Sequence, residues 1–403
     1  MKFSKLSQLA LVSAIGLMVA TLLTACELVT IDFVYVAASA GASAGSAGQI
    51  YGYAVDAQSG AIRSAVAAIS SGGTNPVAMA MTSDYNNIYV ANQGNKTVVH
   101  FTTSDSGTLT VKDSITLANA PVSMAVNSAN TYLYVISGTT SATLTEYPLS
   151  SGTIGTATSS VSLTLPGYPT DTILATGVIV LANNGGVYVT AYDQSAYNPG
   201  GTTTSNANPG WIFGYSVGTS GALTTVSGSP YQAGVKPSAL ATEPTSRFIF
   251  VTDYASNELI GYSVLSTNVL SSMINGPFKT GNEPTSITID PRGIYMYVTN
   301  SLDSTLSSYS IALPTGTPST IVGSGATAGN TTDTDPVSVT VEPSLGRFVY
   351  TANRLGNSIS GFKLNPDTGA LATTLATPYP TGAYPMAVLA VPHGNHATQS
   401  ITP

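Results

Sequence analysis

Residues 248–264 read FIFVTDYASNELIGYSV: an alternating apolar strand, a short polar turn and a second strand. The pattern returns as NIYVANQGNKTVVHFTT at 87–103, YMYVTNSLDSTLSSYSI at 295–311 and RFVYTANRLGNSISGFKL at 347–364. Each hairpin follows a proline and a short alternating strand, at Pro76, Pro121, Pro169, Pro237, Pro284, Pro336 and Pro385. Successive prolines lie 45, 48, 68, 47, 52 and 49 residues apart. Proline suits the position just ahead of a strand, because inside one it cannot donate to the ladder. Nine residues separate Asn92, Asp253, Asn300 and Asn353 from Phe101, Tyr262, Tyr309 and Phe362 respectively.

A strand-only unit of about 48 residues has the size of a four-stranded propeller blade, with strands a to d running outward from the axis. No segment after residue 25 sustains the 3.6-residue period of a helical solenoid, and a β-sandwich has no need of prolines in register. The chain ends set the blade count. FVYVAA at 33–38, QIYGYAV at 49–55 and AIRSAVAAIS at 61–70 supply strands b, c and d without an a, and PMAVLAV at 385–391 supplies an a alone. Joined, they complete a seventh blade and close the ring, which removes its open edges. The fold expected is an all-β, seven-bladed propeller over residues 33–391.

Composition agrees with this fold. Of 403 residues, 43% are hydrophobic and 8% charged, and 39 Gly, 23 Pro and 22 Tyr favour strands and tight turns. Average domains carry roughly 25% charge, so Ser, Thr, Asn and Gly must cover this surface. A net charge of −7 excludes a nucleic-acid face. The one cysteine, Cys26, excludes a disulfide framework.

Cys26 ends the stretch MKFSKLSQLALVSAIGLMVATLLTAC, in which Lys2 and Lys5 precede an apolar run and small residues. That order is an export signal. Leu23-Thr24-Ala25-Cys26 resembles the bacterial lipobox, which implies acylation at Cys26 and cleavage before it. An ordinary secretory signal and an uncleaved spanning helix are the alternatives. The expectation is a signal peptide at 1–25, a tether at 26–32, a flexible tail at 392–403 and a lipid anchor in the cell envelope. Glu27 leans the placement to the outer membrane.

Strand b reads YVAN, YVTA, FVTD and YVTN, with GYSV or SYSI strands and SGAL or TGAL turns after it. These motifs resemble the YVTN-repeat propellers and the bacterial lactonase family, which includes 6-phosphogluconolactonase. The resemblance spans about 33–391 and implies a seven-bladed propeller. Catalytic members place His or Arg next to blade prolines and a Glu after the strand-b Asn. Here Val77, Val122, Thr170, Ser238, Thr285, Val337 and Met386 follow the prolines, and Gln93, Tyr254, Ser301 and Arg354 follow strand b. No catalytic residue carries over.

The d-to-a connections and the b-to-c turns should emerge on one face of the ring. Asn75, Ala120, Tyr168, Lys236, Glu283, Asp335 and Tyr384 precede the prolines there, and Asp193, Asp253, Asp303 and Arg354 stand in the turns. Tyrosines, acids and two cations around an axis can hold a polar small molecule or a glycan; alternatively they are solvated turn residues. One b-to-c turn expands to YDQSAYNPGGTTTSNANPG at 192–210, bringing Tyr192, Asp193 and Tyr197 to that face. On the opposite face Arg247, Arg292 and Arg347 recur in register, as structural residues do. His100 lies within a strand, His393 and His396 in the tail, and DTD at 333–335 lacks a cation-binding framework, so neither metal nor cofactor is expected. The leading expectation is a binding or scaffold propeller for a glycan, small molecule or protein. The rival is a lactone hydrolase with relocated chemistry on Asp253, Asp303 and Arg354.

Overall fold

The computed structural model describes residues 29–39, 41, 45–197, 209–218, 220–321 and 330–394. Cys26 and its signal, His396 and the middle of the 192–210 turn fall outside the described residues. Seven antiparallel sheets form the blades, and no helix occurs among the described residues. Each innermost strand packs against that of the next blade and the last packs against the first, so the ring closes.

Strand b is the buried centre of a blade. Asn87–Asn92, Phe248–Asp253, Tyr295–Asn300 and Phe348–Asn353 are buried at every position. Neighbouring blades cover both faces of these strands, which explains their near-continuous apolar and β-branched composition. In five blades strand d is broken in two: in the fourth, Leu270–Ser272 and Phe278–Lys279 both pair with strand c at Glu258–Val264.

The shared blade forms as the chain ends require, with Phe33 opposite Val391 and Tyr35 opposite Leu389. It is longer than expected at both ends. Strand b begins at Thr30, so Thr30–Asp32 belong to the sheet and not to a tether. The final strand runs Pro385–Pro392, and the His393 amide still donates to Ile31 O at 2.8 Å.

One blade proline is corrected. Pro169 lies in a turn beside the Leu165–Tyr168 bridge, and the innermost strand of blade 3 is Ile173–Val180. Ala175 pairs with Ala191 ahead of a register shift, as Pro237 pairs with Asp253 ahead of the same shift. Two further pairs, Ile173–Asp193 and Leu174–Tyr192, extend this ladder outward. A proline at 175 would interrupt the longer ladder, so alanine takes the position.

The recurring aromatic of strand b and the SGAL-type turn are two halves of one clasp. Tyr35, Tyr89, Tyr297 and Tyr350 donate their hydroxyls to the carbonyls of Gly107, Gly152, Gly369 and Gly60 in the next blade, at 2.7, 2.6, 2.9 and 2.7 Å. The glycines adopt φ between +68° and +82°, which only glycine enters freely. A Cβ on Gly60 would lie 2.2 Å from the Phe348 ring, and one on Gly369 would lie 2.3 Å from that of Tyr295. Tyr350 to Gly60 is the clasp that ties blade 6 to the shared blade.

The arginine turns are structural, as their recurrence suggested. Arg292 Nε meets Asp290 Oδ2 at 2.7 Å, and the Arg347 amide donates to Glu342 Oε1 at 2.6 Å. Glu342 also caps the Leu345 amide at 2.8 Å. Beside it Asp32, with no exposed surface, accepts the Ser344 hydroxyl at 2.6 Å.

Candidate site at the mouth of the axial channel

A narrow channel of about 230 Å³ runs along the axis, walled by all seven innermost strands. Its wall holds no charged side chain: Val77, Val122, Thr176, Ser238, Thr285, Val337 and Met386 stand in equivalent places. Thr176 replaces the expected Thr170 because the blade 3 strand starts later. These wall positions help hold the ring together. Ser238 Oγ donates to Pro284 O at 2.6 Å, and Thr285 Oγ1 to Pro336 O at 2.8 Å, each stapling a blade to the next.

At one end of the channel a repeated backbone hydrogen bond fixes the rim. It joins the first residue after strand b to the residue ahead of strand a. Gln93 N donates to Asn75 O, Gly138 N to Ala120 O, Tyr254 N to Lys236 O and Ser301 N to Glu283 O, all at 2.9 Å. Arg354 N donates to Asp335 O at 2.8 Å, and Ser39 N to Tyr384 O at 3.3 Å. In blade 3 the paired residues are Leu174 and Tyr192. The rim is lopsided. Blades 1 and 2 supply amides and small residues, whereas blades 3 to 7 supply Tyr192, Lys236, Tyr254, Glu283, Asp335, Arg354 and Tyr384 without a gap.

Lys236 stands among three aromatic rings. Its Nζ lies 5.4 Å from the centroid of Tyr192, 5.1 Å from Tyr197 and 4.9 Å from Tyr254. Burial, then the neighbouring Glu283 carboxylate, push the Tyr254 hydroxyl up to about 12, with Arg354 acting the other way. Burial and then the charges of Asp253 and Glu283 raise Tyr197. Arg354 forms a two-armed ion pair with Asp335, at 2.6 and 3.3 Å, and its guanidinium carbon sits 5.8 Å from the Tyr384 ring centroid. Glu283, Asp335 and Tyr384 all hold φ between +54° and +62°, a conformation side chains other than glycine adopt at a cost.

Five of the nine ligand candidates therefore meet at the mouth: Lys236, Glu283, Asp335, Arg354 and Tyr384. The other four do not join them. Asp253 is fully buried, its carboxylate accepting the amides of Val235, Lys236, Ala255 and Ser256 at 2.6 to 3.3 Å. Asp193 is 3% exposed and caps the amides of Ser195 and Ala196. Asp303 lies off the axis, accepting both the backbone and side-chain amides of Asn282 at 2.7 and 2.8 Å. Tyr168 is 63% exposed in the turn ahead of blade 3, removed from the rim register. Tyr254 joins the five at the mouth, and its place directly after strand b, beside the residue before Pro237, marks it as a rim residue. His100 is committed within its own blade, with Nδ1 2.8 Å from Asp113, Nε2 2.8 Å from Asn87 and its ring stacked on Tyr89.

The fold and site define a seven-bladed propeller with a polar mouth on a narrow axial channel. The sequence profile described as Lactonase, 7-bladed beta-propeller matches residues 33–172 and 102–396, and the chain belongs to that family. Similar solved structures include a candidate 6-phosphogluconolactonase from Bacteroides uniformis, 17% identical with TM-score 0.72, covering 90% of this chain and 100% of that one. The periplasmic gluconolactonase of Pseudomonas aeruginosa is 16% identical with TM-score 0.72, covering 90% of this chain and 99% of its own. Among curated proteins none matches the sequence.

Proposed function

We propose that this protein is a binding propeller of the cell envelope, tethered through acylated Cys26, that takes a polar small molecule or the end of a glycan at the channel mouth. The observation carrying this reading is the uninterrupted arc of Lys236, Tyr254, Glu283, Asp335, Arg354 and Tyr384 at rim positions fixed by one repeated backbone bond. Tyrosine offers a stacking face and a hydroxyl, and the charged groups offer donors and acceptors to hydroxyls. The wall positions, where catalytic relatives would place His or Arg, carry aliphatic side chains or hydroxyls, and those of Ser238 and Thr285 are committed to the neighbouring blade.

Lactone hydrolysis is the second reading, and family membership favours it. It needs a base for water and a donor for the developing oxyanion. Asp253 and Asp303 are occupied by amides and Arg354 by Asp335. Among the described residues Glu283 alone of these acids is held by neither an amide nor a cation, so the base falls to Glu283 and the donor to Lys236.

One experiment separates the two. Protein carrying Cys26→Ser is titrated by calorimetry with neutral sugars, sugar acids and lactones, and the same lactones are followed in a pH-stat. Saturable binding that Tyr384→Ala weakens, with ring opening no faster than in buffer, supports the binding reading. Ring opening well above buffer that Glu283→Gln abolishes replaces it with the second.

A further inference from the structure

We infer that the ligand taken at this mouth carries an oxyanion, a carboxylate or a phosphate, and that Lys236 is the residue that selects it. The inference rests on the binding site proposed above and names the chemistry it reads.

Lys236 differs from every other described lysine. Lys96, Lys112, Lys279 and Lys363 are exposed, while Lys236 is half-buried at the rim. Its backbone is fixed at both polar groups, the amide donating to Asp253 Oδ1 at 2.9 Å and the carbonyl accepting from Tyr254 N at 2.9 Å. Pro237 restricts it further. The ammonium is held by aromatic faces, and among the described residues no carboxylate lies within 4.0 Å of it. Ring faces attract a cation without accepting its N–H groups in linear hydrogen bonds. Three donors on a positioned charge are thus left for a ligand.

The surrounding charges reinforce this assignment. Arg354, the other cation of the rim, is neutralised by Asp335, and the carboxylate of Asp253 is turned to four backbone amides. Glu283 stands near the Tyr254 hydroxyl, while the Lys236 Nζ sits over the Tyr254 ring and forms no ion pair with Glu283. The mouth therefore presents separated poles. A ligand whose anion reaches Lys236 and whose hydroxyls reach Glu283 fits both, whereas a neutral sugar leaves the ammonium unanswered. The half-buried setting weakens screening, which makes such a contact stronger than one on the open surface.

The test uses the full chain bearing Cys26→Ser and four probes: inorganic phosphate, acetate, glucuronate and glucose. The last two share a sugar ring and differ in one carboxylate. Glucuronate should bind at least tenfold more tightly than glucose, and Lys236→Met should lose at least tenfold of that affinity. Lys236→Arg should restore most of it, and Lys112→Met, on an outer strand, should change nothing. Phosphate competing more strongly than acetate would assign the anion to a phosphate, and the reverse to a carboxylate. Equal binding of glucose and glucuronate, or anion binding that survives Lys236→Met, overturns the inference and leaves the mouth as a site for neutral ligands. Absence of binding by all four probes, with wild-type and variant melting points unmoved by any of them, overturns both readings together.

Discussion

Replacing Asp32 by Asn tests how the ring is locked. Asp32 lies at the start of the shared blade, has no exposed surface and accepts Ser344 Oγ at 2.6 Å. Burial, and then the negative charge of Glu342, push its carboxyl from 3.8 to about 9, and burial raises Glu342 as well. A folded-state pKa above the unfolded one means that the folded chain holds the proton more tightly. The stabilisation is therefore complete below about pH 4 and is lost as pH rises towards 9. Each unit in that window removes about 1.4 kcal/mol at the limit, so the step from pH 4 to pH 7 is on the order of 4 kcal/mol. That is a large part of the roughly 5–15 kcal/mol by which folded domains are usually stable.

Asparagine keeps the acceptor for Ser344 and offers Glu342 a donor without a titrating proton. Other carboxyls work the opposite way: Asp333, lowered first by the Ser358 hydroxyl, adds stability above its unfolded pKa and loses it on acidification. Comparing wild type with Asp32→Asn cancels those contributions. Thermal melts at pH 4.5, 6, 7.5 and 8.5 should give nearly equal midpoints at the lowest pH and a variant advantage that grows at each step. A gap that stays constant with pH, or wild type gaining on the variant as pH rises, would show that Asp32 is not the protonated partner inferred here.

Gly369→Ala must place a methyl 2.3 Å from the Tyr295 ring at φ +71°, which should cost about 2–4 kcal/mol in urea melts. Tyr297→Phe removes only the 2.9 Å bond to that glycine and should cost about 1 kcal/mol. Ending the chain after Tyr384 deletes the innermost strand of the shared blade and should lower the melting midpoint sharply, while ending it after Gly394 should leave the midpoint in place. Labelling cells with a palmitate analogue should mark wild type and not Cys26→Ser; equal labelling of both would refute the anchor.

The ring was legible because its constraints repeat. The blade proline, the strand-b aromatic and the SGAL-type glycine each answer a requirement that every blade shares, so their spacing exposes the architecture and even the shared blade. Blade 3 misled for the same reason. Its ladder runs two pairs further, its proline position is filled by Ala175, and Pro169 belongs to an unrelated turn. Tyr168 was placed at the mouth only by assuming the common offset. Asp253 illustrates a second limit. Sequence shows an acid at the end of a strand but not that the Lys236 amide and three others converge on it, and that convergence decides whether the group is a cap or a ligand.

Closure and the proposed recognition fall on adjacent positions here. The residue after the blade proline faces the next blade at the channel wall, so its side chain is drawn into ring closure, as in Ser238 to Pro284 and Thr285 to Pro336. The residue before the proline is held through its backbone, by its carbonyl and in several blades by its amide as well, and those bonds do not prescribe its side chain. Asn75, Ala120, Leu174, Lys236, Glu283, Asp335 and Tyr384 occupy this position, a range of chemistry that no packing requirement would produce. Variation confined to a place whose backbone is fixed is what a recognition surface on a rigid scaffold requires. The rim side chains can thus be changed without disturbing closure. In this chain the charged and aromatic groups gather on consecutive blades, which gives the mouth one polar side from which a ligand can be read.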